Sequence, residues 1–336
     1  MGKKLGTAAL FLGAFMLALA GLSKFYMYDR LAVVPLNTEQ LSVAATAPGD
    51  DAEYLDVAAG VKVVTGPLKS TTVVTGDVDA SKKASKELGR DVAVWDNYTC
   101  TDKPSFDCGN STDAPLSGTI DRVAFDANTG EAVAYKDTSN ESDGEITKPF
   151  SFEGLYFKFP FDTQKKTYQW WDGTLKKGVD ATYVGEGKVK GMKVYKFEQT
   201  IEPVKTGTID VPGDLVGSDE ATVTADRIYS VHRTFSVDPV TGVVIVGEEA
   251  QDSYLEVNGE RRATTTKATL GLTDDTIQAS VDEYKTKAML LTAVKTWIPV
   301  GGGILGVLLI AAGLMSRRGN AEGVRKADKG ELVGTR

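Results

Sequence analysis

The stretch RTFSVDPVTGVVIVGEEA, Arg233 to Ala250, decides the fold class. Two runs rich in valine, threonine and aromatic residues flank Asp238-Pro239-Val240-Thr241-Gly242, and such a pattern reads strand, turn, strand. Just downstream, LEVNGERRAT sets Asn258-Gly259 between two more short strands. Upstream, RVAFDANTGEAVAY (Arg122 to Tyr135) repeats the arrangement around Asn128-Thr129-Gly130. VKVVTGPLKSTTVVTGDV (Val61 to Val78) places strand-forming runs between Gly66-Pro67 and Gly76-Asp77. The expectation is a mainly β domain, an antiparallel, hairpin-rich sheet with few helices. DASKKASKELG (Asp79 to Gly89), with a cap at one end and glycine at the other, predicts a short solvated helix. TDDTIQASVDEYKTKAMLLTAVKTW (Thr273 to Trp297) has early acids, late lysines and helical apolar spacing, so it predicts a second helix. The segment 37–60 carries no clear pattern.

Outward from this domain, both ends of the chain turn apolar. Trp297 to Met315, WIPVGGGILGVLLIAAGLM, holds nineteen residues without a charge. At ~1.5 Å per residue that length crosses a hydrocarbon core of ~30 Å. Leu5 to Leu22, LGTAALFLGAFMLALAGL, has two readings. The triplet Ala18-Leu19-Ala20 resembles a signal-peptidase site, while the length of the run exceeds an ordinary signal core and favours an uncleaved anchor. The division expected is a span at 5–22, an extracytoplasmic β-rich domain at 23–296, a span at 297–315 and a basic tail at 316–336.

Lys3 and Lys4 precede the first span, and Arg317, Arg318, Arg325, Lys326, Lys329 and Arg336 follow the second. Basic flanks stay on the cytoplasmic side, so both termini are expected inside a plasma membrane and the domain outside. Between the spans lie 30 basic and 43 acidic residues, a net of −13 out of −8 for the whole chain. So acidic a surface excludes nucleic acid as a partner, because phosphate binding calls for basic patches.

Cys100 and Cys108 are the two cysteines, in the polar stretch NYTCTDKPSFDCGN. Their spacing in an extracytoplasmic loop predicts a local disulfide; a metal site would need four ligands, and no histidine is near. The most aromatic region is FSFEGLYFKFPFDTQKKTYQWWDGTLKK, Phe150 to Lys177. There Phe157, Phe159 and Phe161 alternate with Lys158, Pro160 and Asp162, so a strand would put three rings on one face. These rings, with Tyr168, Trp170 and Trp171, are candidates for core and also for contact with a ligand or partner.

Catalytic patterns are sparse. His232 is the sole histidine and sits in the strand-like IYSVHRTF, whereas catalysis needs oriented partners as well. Asp126, Asn128 and Gly130 imitate the start of a calcium loop, but the glycine is one position early and no closing glutamate follows. No phosphate-binding or dinucleotide fingerprint is present. No enzyme, cofactor or metal is expected.

RVAFDANTGEAV, KFPFDTQKKTYQWWD, YVGEGKVKGMKVYKFEQ and VDPVTGVV, lying between two terminal spans, resemble the actinobacterial porin PorA family of cell-envelope proteins. The resemblance implies the envelope location and a channel label. Against that label, a membrane β-barrel needs strands of about ten residues with an apolar outer face, and uncharged helical spans line a polar pore only when several chains assemble. The expected role is therefore a non-enzymatic membrane-anchored protein whose outer β domain binds an envelope lipid, glycan or protein partner. The alternative is a channel former, as an oligomer. The tripeptides Asn97-Tyr98-Thr99, Asn110-Ser111-Thr112 and Asn140-Glu141-Ser142 fit the N-glycosylation pattern and raise a lesser alternative, a CD36-like two-span receptor.

Overall fold

A computed structural model describes residues 2–330 apart from Thr112 and Asp143; side chains are described within 4–316, apart from residues 112, 142 and 143. The basic side chains of the expected 316–336 tail and Thr112, the last residue of one sequon, thus lie outside the described residues, while Asn110 of that sequon is exposed and donates to Asp107 Oδ2 at 2.9 Å. The chain forms two compact units, Val34–Lys285 and the paired terminal segments Met1–Val33 with Thr286–Arg336.

The first unit is antiparallel sheet. Its strands are β1 (Glu39–Ala45), β2 (Ala52–Asp56), β3 (Lys62–Gly66), β4 (Lys69–Gly76), β5 (Val92–Asp102), β6 (Ser117–Asp126) and β7 (Ser139–Ser142). They continue as β8 (Glu145–Thr147), β9 (Tyr168–Asp172), β10 (Lys177–Val189), β11 (Met192–Pro212), β12 (Thr222–Val237), β13 (Val244–Val257) and β14 (Glu260–Leu272). Spatial order is β8-β7-β6-β5-β4-β1-β14-β13-β12-β11-β10-β9, with β2 and β3 branching from β14. Three isolated bridges complete a circuit from β9 back to β6. They are Leu155 to Trp170, Glu131 to Leu155 and Phe125 to Ala132. Leu155 donates to Gln169 O and accepts from Trp171 N, both at 2.8 Å, so the backbone polar groups along this seam are satisfied.

Side-chain alternation gives the sheet two unlike faces. On β11, buried Phe197, Gln199 and Ile201 alternate with exposed Lys196, Glu198 and Thr200. The inner face is therefore packed, and the outer face is the charged surface of a domain in water rather than the apolar band of a membrane barrel. The hairpin joining β13 to β14 turns at Asn258 and Gly259, both at positive φ (53° and 79°), as the tightest two-residue turn requires. After the N-terminal helix α1 (Gly2–Leu22), the next in the chain is α2 (Val78–Leu88), which belongs to this unit. Its cap is Asp77, whose carboxylate accepts from Ala80 N at 2.9 Å, and it stops at Gly89 with φ 68°. It lays Ala84 on Val92, Val94 and Ala124, on the outer side of β5 and β6.

Several expectations are corrected by this topology. β3 and β4 both form, but they do not pair with each other: β3 joins β2, and β4 lies between β1 and β5. The turn at Asn128-Thr129-Gly130 comes after β6, yet its return is a single bridge at Ala132, because residues 131–132 are used to close the circuit. Segment 37–60, without a clear pattern, supplies β1 and β2.

In the second unit, α1 runs into a π turn (Ser23–Met27) and a last helical turn (Tyr28–Leu31). The returning helix comprises α3 (Asp274–Thr292), which belongs to this unit from Thr286 on, a π turn (Ala293–Trp297) and α4 (Ile298–Gly330). Residues Lys4–Leu31 and Asp274–Ser316 each form a helix long and apolar enough to cross a membrane. Small residues let the two backbones approach. A Cβ placed on Gly6 would lie 3.1 Å from Gly313 O. One on Gly13 would lie 2.8 Å from Gly306 O and 2.7 Å from Ile310 Cγ1. One on Gly302 would meet Ala20 Cβ at 3.5 Å. Such contacts bring helices together where lipid offers no hydrophobic drive. The outward side chains, among them Phe11, Phe15, Ile304 and Leu308, are large, apolar and exposed.

Gly13→Leu is therefore expected to separate the pair at that level, at a cost of about 1–3 kcal/mol. Oxidative crosslinking in an A20C/G302C background reports the contact: the extra substitution should slow crosslinking severalfold, and an unchanged rate would refute close packing at Gly13.

Candidate functional site

A groove of about 710 Å³ opens on the β domain. One wall comes from Ser117 to Ile120 of β6, with Tyr98 and Glu141; the other comes from the long strands through Thr206, Arg227, Tyr229, Gln251, Ser253 and Thr266. Its lining is dominated by hydroxyl and amide groups with one acid and one base, an even balance on a segment of net −13.

The lining is held by buried polar groups. Tyr229 donates its hydroxyl hydrogen to Asp172 Oδ2 at 2.8 Å, and Arg233 Nη1 donates to the same oxygen at 2.6 Å. Arg233 also reaches Gln199 Oε1 at 2.7 Å and Glu249 Oε2 at 2.5 Å. Gln199 in turn donates to the carbonyls of Trp170 and Val179, both at 3.1 Å, tying β11 to β9 and β10. Burial opposes the charge on Arg233, but the surrounding Glu249, Tyr229 and Asp172 outweigh it and hold the guanidinium more firmly protonated. Burial also pushes the Tyr229 phenol up, so it stays a hydrogen-bond donor.

A second buried group sits on β5 and β6. Asp121 accepts from Asn140 Nδ2 at 2.6 Å and from the Tyr156 hydroxyl, and Asn97 Nδ2 reaches the same phenol at 3.1 Å. Burial raises Asp121 above the usual carboxylate range, against the pull of these two donors. Asn97 and Asn140 are the acceptor asparagines of two of the three glycosylation tripeptides. Both are buried with their amides engaged, which removes them as glycan sites.

The aromatic candidates are divided by a segment that is not a strand. Phe159 is fully buried with Tyr168, Phe197 and Phe235. Phe157 and Phe161 turn to a different cluster, against Trp95 and Phe125. The three rings thus do not share one face. Trp170 is half-buried on Phe235, 4.8 Å between ring centroids, and Trp171 is buried against Phe152 and Val123. Lys158, expected on the opposite, outward face, is buried with its ammonium 3.8 Å over the Phe161 ring. Desolvation lowers its pKa to about 7, against the attraction of Asp238. Sequence reasoning missed it because the alternation on which the face assignment rested does not exist in the folded chain.

Cys100 and Cys108 are joined as a disulfide, and Cys100 is buried on β5. The small loop it closes predicts that C100S/C108S loses about 2–3 kcal/mol of domain stability. Urea unfolding in matched buffers measures this, and equal midpoints would show the bond to be dispensable. His232 is exposed, with Nδ1 3.0 Å from Thr200 Oγ1. Asp126 Oδ1 accepts from Asn128 N and Thr129 N, the hydrogen bonds of a turn.

A family model described as Porin PorA matches residues 5–315. The chain is also 25% identical over 273 residues to a protein named Porin PorA of Corynebacterium resistens, covering 60% of this chain and 66% of that one. To another of the same name, from Corynebacterium amycolatum, it is 24% identical over 395 aligned residues, covering 96% and 100%. These matches overturn the expectation of a non-channel binding protein, and with it the receptor alternative. The expected short strands are not what forms: β10 to β14 run 13 to 21 residues and the sheet closes on itself, so strand length does not argue against a barrel pore, and only the charged outward positions do.

Proposed function

We propose that this chain, which belongs to the porin PorA family, forms a water-filled channel in the cell envelope by assembly of several copies. The observation that carries the reading is the extent of the family match, which runs through both apolar helices and the whole β domain. Assembly is argued from the helix pair. Its inner seam packs glycine against backbone and its outward faces are apolar, so the two helices of one copy leave no open path between them. The sheet cannot replace it, since its outer face is charged. A channel role also sets the protein apart from enzymes.

The two apolar helices and the family match support a membrane location. We further propose a plasma membrane with both termini cytoplasmic and the 23–296 domain outside, supported by the basic flanks and the −13 charge between the spans. In this reading the aromatic group Phe157, Phe159, Phe161, Tyr168, Trp170 and Trp171 serves partner contact only through the shape of the domain it packs. Purified full-length protein added to planar bilayers should give stepwise conductance, with crosslinked oligomers in the same preparation. Silence across several protein-to-lipid ratios would overturn the channel reading.

A further inference from the structure

The apolar run Leu5 to Leu22 is eighteen residues, about 27 Å of helix, close to the ~30 Å of a hydrocarbon core. The residues just beyond Leu22 therefore fall at the depth of lipid headgroups. There both helices widen into π turns, Ser23–Met27 and Ala293–Trp297. A π turn disturbs the regular backbone ladder, and the Val294 carbonyl is satisfied by the Ser23 hydroxyl at 2.7 Å, with Ser23 fully buried. The two turns are thereby fastened to each other.

Around this fastening stand cations laid over rings. Lys24 lies 5.6 Å from the Phe25 ring centre, Arg30 5.4 Å from Tyr26, and Lys295, across the helix pair, 5.0 Å from Tyr28. Trp297 is exposed at the same end. Residues 23–31 and 286–297 carry four basic side chains against the single acid Asp29, a net of +3. The remainder of the segment between the spans is therefore −16. Positive charge is concentrated in one band of an otherwise acidic segment, and that band lies where phosphates would be. Rings beneath the cations hold them in place and match the amphipathic boundary.

We propose that this collar binds the phosphate groups of anionic phospholipids in preference to zwitterionic ones. It goes beyond the channel reading and does not depend on it, since it needs only the membrane location. Each basic residue near an anionic surface is worth roughly a fivefold gain. Three of them, with Asp29 opposing, lead to an expected preference of about tenfold or more.

Trp297 is the tryptophan of the helix pair, and it makes the test direct. Full-length protein is reconstituted in phosphatidylcholine vesicles containing either dibrominated phosphatidylglycerol or dibrominated phosphatidylcholine, and quenching is read as the difference from a W297F control. Phosphatidylglycerol should quench Trp297 with about tenfold higher relative affinity. The preference should fall with salt, vanish in K24Q/R30Q/K295Q and persist in K24R/R30K/K295R. Equal quenching by the two lipids, or a preference retained in the glutamine variant, would overturn the proposal. Conductance is not part of the readout, so a silent bilayer would remove the channel and leave the collar, and equal quenching would do the reverse.

Discussion

Asp172→Ala is expected to destabilise the β domain by about 3–5 kcal/mol, because it breaks a buried pair from one side. Asp172 is fully buried and takes three hydrogen bonds, from Arg233 Nη1 at 2.6 Å, Tyr229 at 2.8 Å and Leu175 N at 2.7 Å. Alanine supplies none of these acceptors and leaves a buried guanidinium with Glu249 as its remaining ion-pair partner. Glu249 makes an equally short contact with Arg233, but its side chain is 38% exposed. Glu249→Gln should therefore cost no more than about 1 kcal/mol, in the range of exposed ion pairs. Urea unfolding followed by tryptophan fluorescence separates the two, since Trp171 adjoins the site. A loss below about 1 kcal/mol in the Asp172 variant would mean that the network is not what joins β9 to β12.

Lys158→Met is expected to stabilise the protein, by about 1–4 kcal/mol near neutral pH. The Lys158 ammonium is buried with no hydrogen-bond partner among the described residues. Methionine fills similar space beside Phe161 without a polar atom, and Asp238 keeps its own donors, Thr241 N at 2.9 Å, Thr241 Oγ1 at 2.5 Å and Val240 N at 3.3 Å. The pH dependence has a definite sign. The folded chain releases the Lys158 proton near pH 7, while the unfolded chain holds it to its ordinary value of 10.5. Between those values the unfolded state binds more protons, so this group's contribution to stability rises with pH, and its penalty is complete below pH 7. The gain from methionine should accordingly be larger at pH 6 than at pH 9. Thermal unfolding of both proteins at the two pH values checks this. A destabilised variant would show that the Phe161 ring and Asp238 together outweigh the cost of burying the ammonium.

Features held by near neighbours could be read without the structure. Asn258-Gly259 specifies its turn through the backbone freedom of two residues, and the helix at Val78–Leu88 is bracketed by Asp77 and Gly89. The Cys100–Cys108 bond spans eight positions. The candidate site was much less legible. Asp172 and Arg233 are 61 residues apart, and nothing around either marks the other. Phe157, Phe159 and Phe161 were recognised as a group, but their faces were assigned by a strand period that the segment does not follow. The channel reading required comparison with other proteins, since neither helix carries a polar stripe that would announce a pore.

By itself, the sequence determined the two apolar helices, the hairpins that turn at Asp238–Gly242 and Asn258–Gly259, the acidic segment between the spans and the local disulfide. Each depends on composition or on contacts within about a dozen residues, where chain geometry leaves few alternatives. Tertiary structure decided which strands pair, how residues 131–132 and Leu155 complete the circuit, and which polar side chains go inside. It also decided that Gly13 meets Gly306 and that Ser23 meets Val294. Those outcomes are settled by competition among many distant surfaces for burial and hydrogen bonds, and no local pattern encodes the winner.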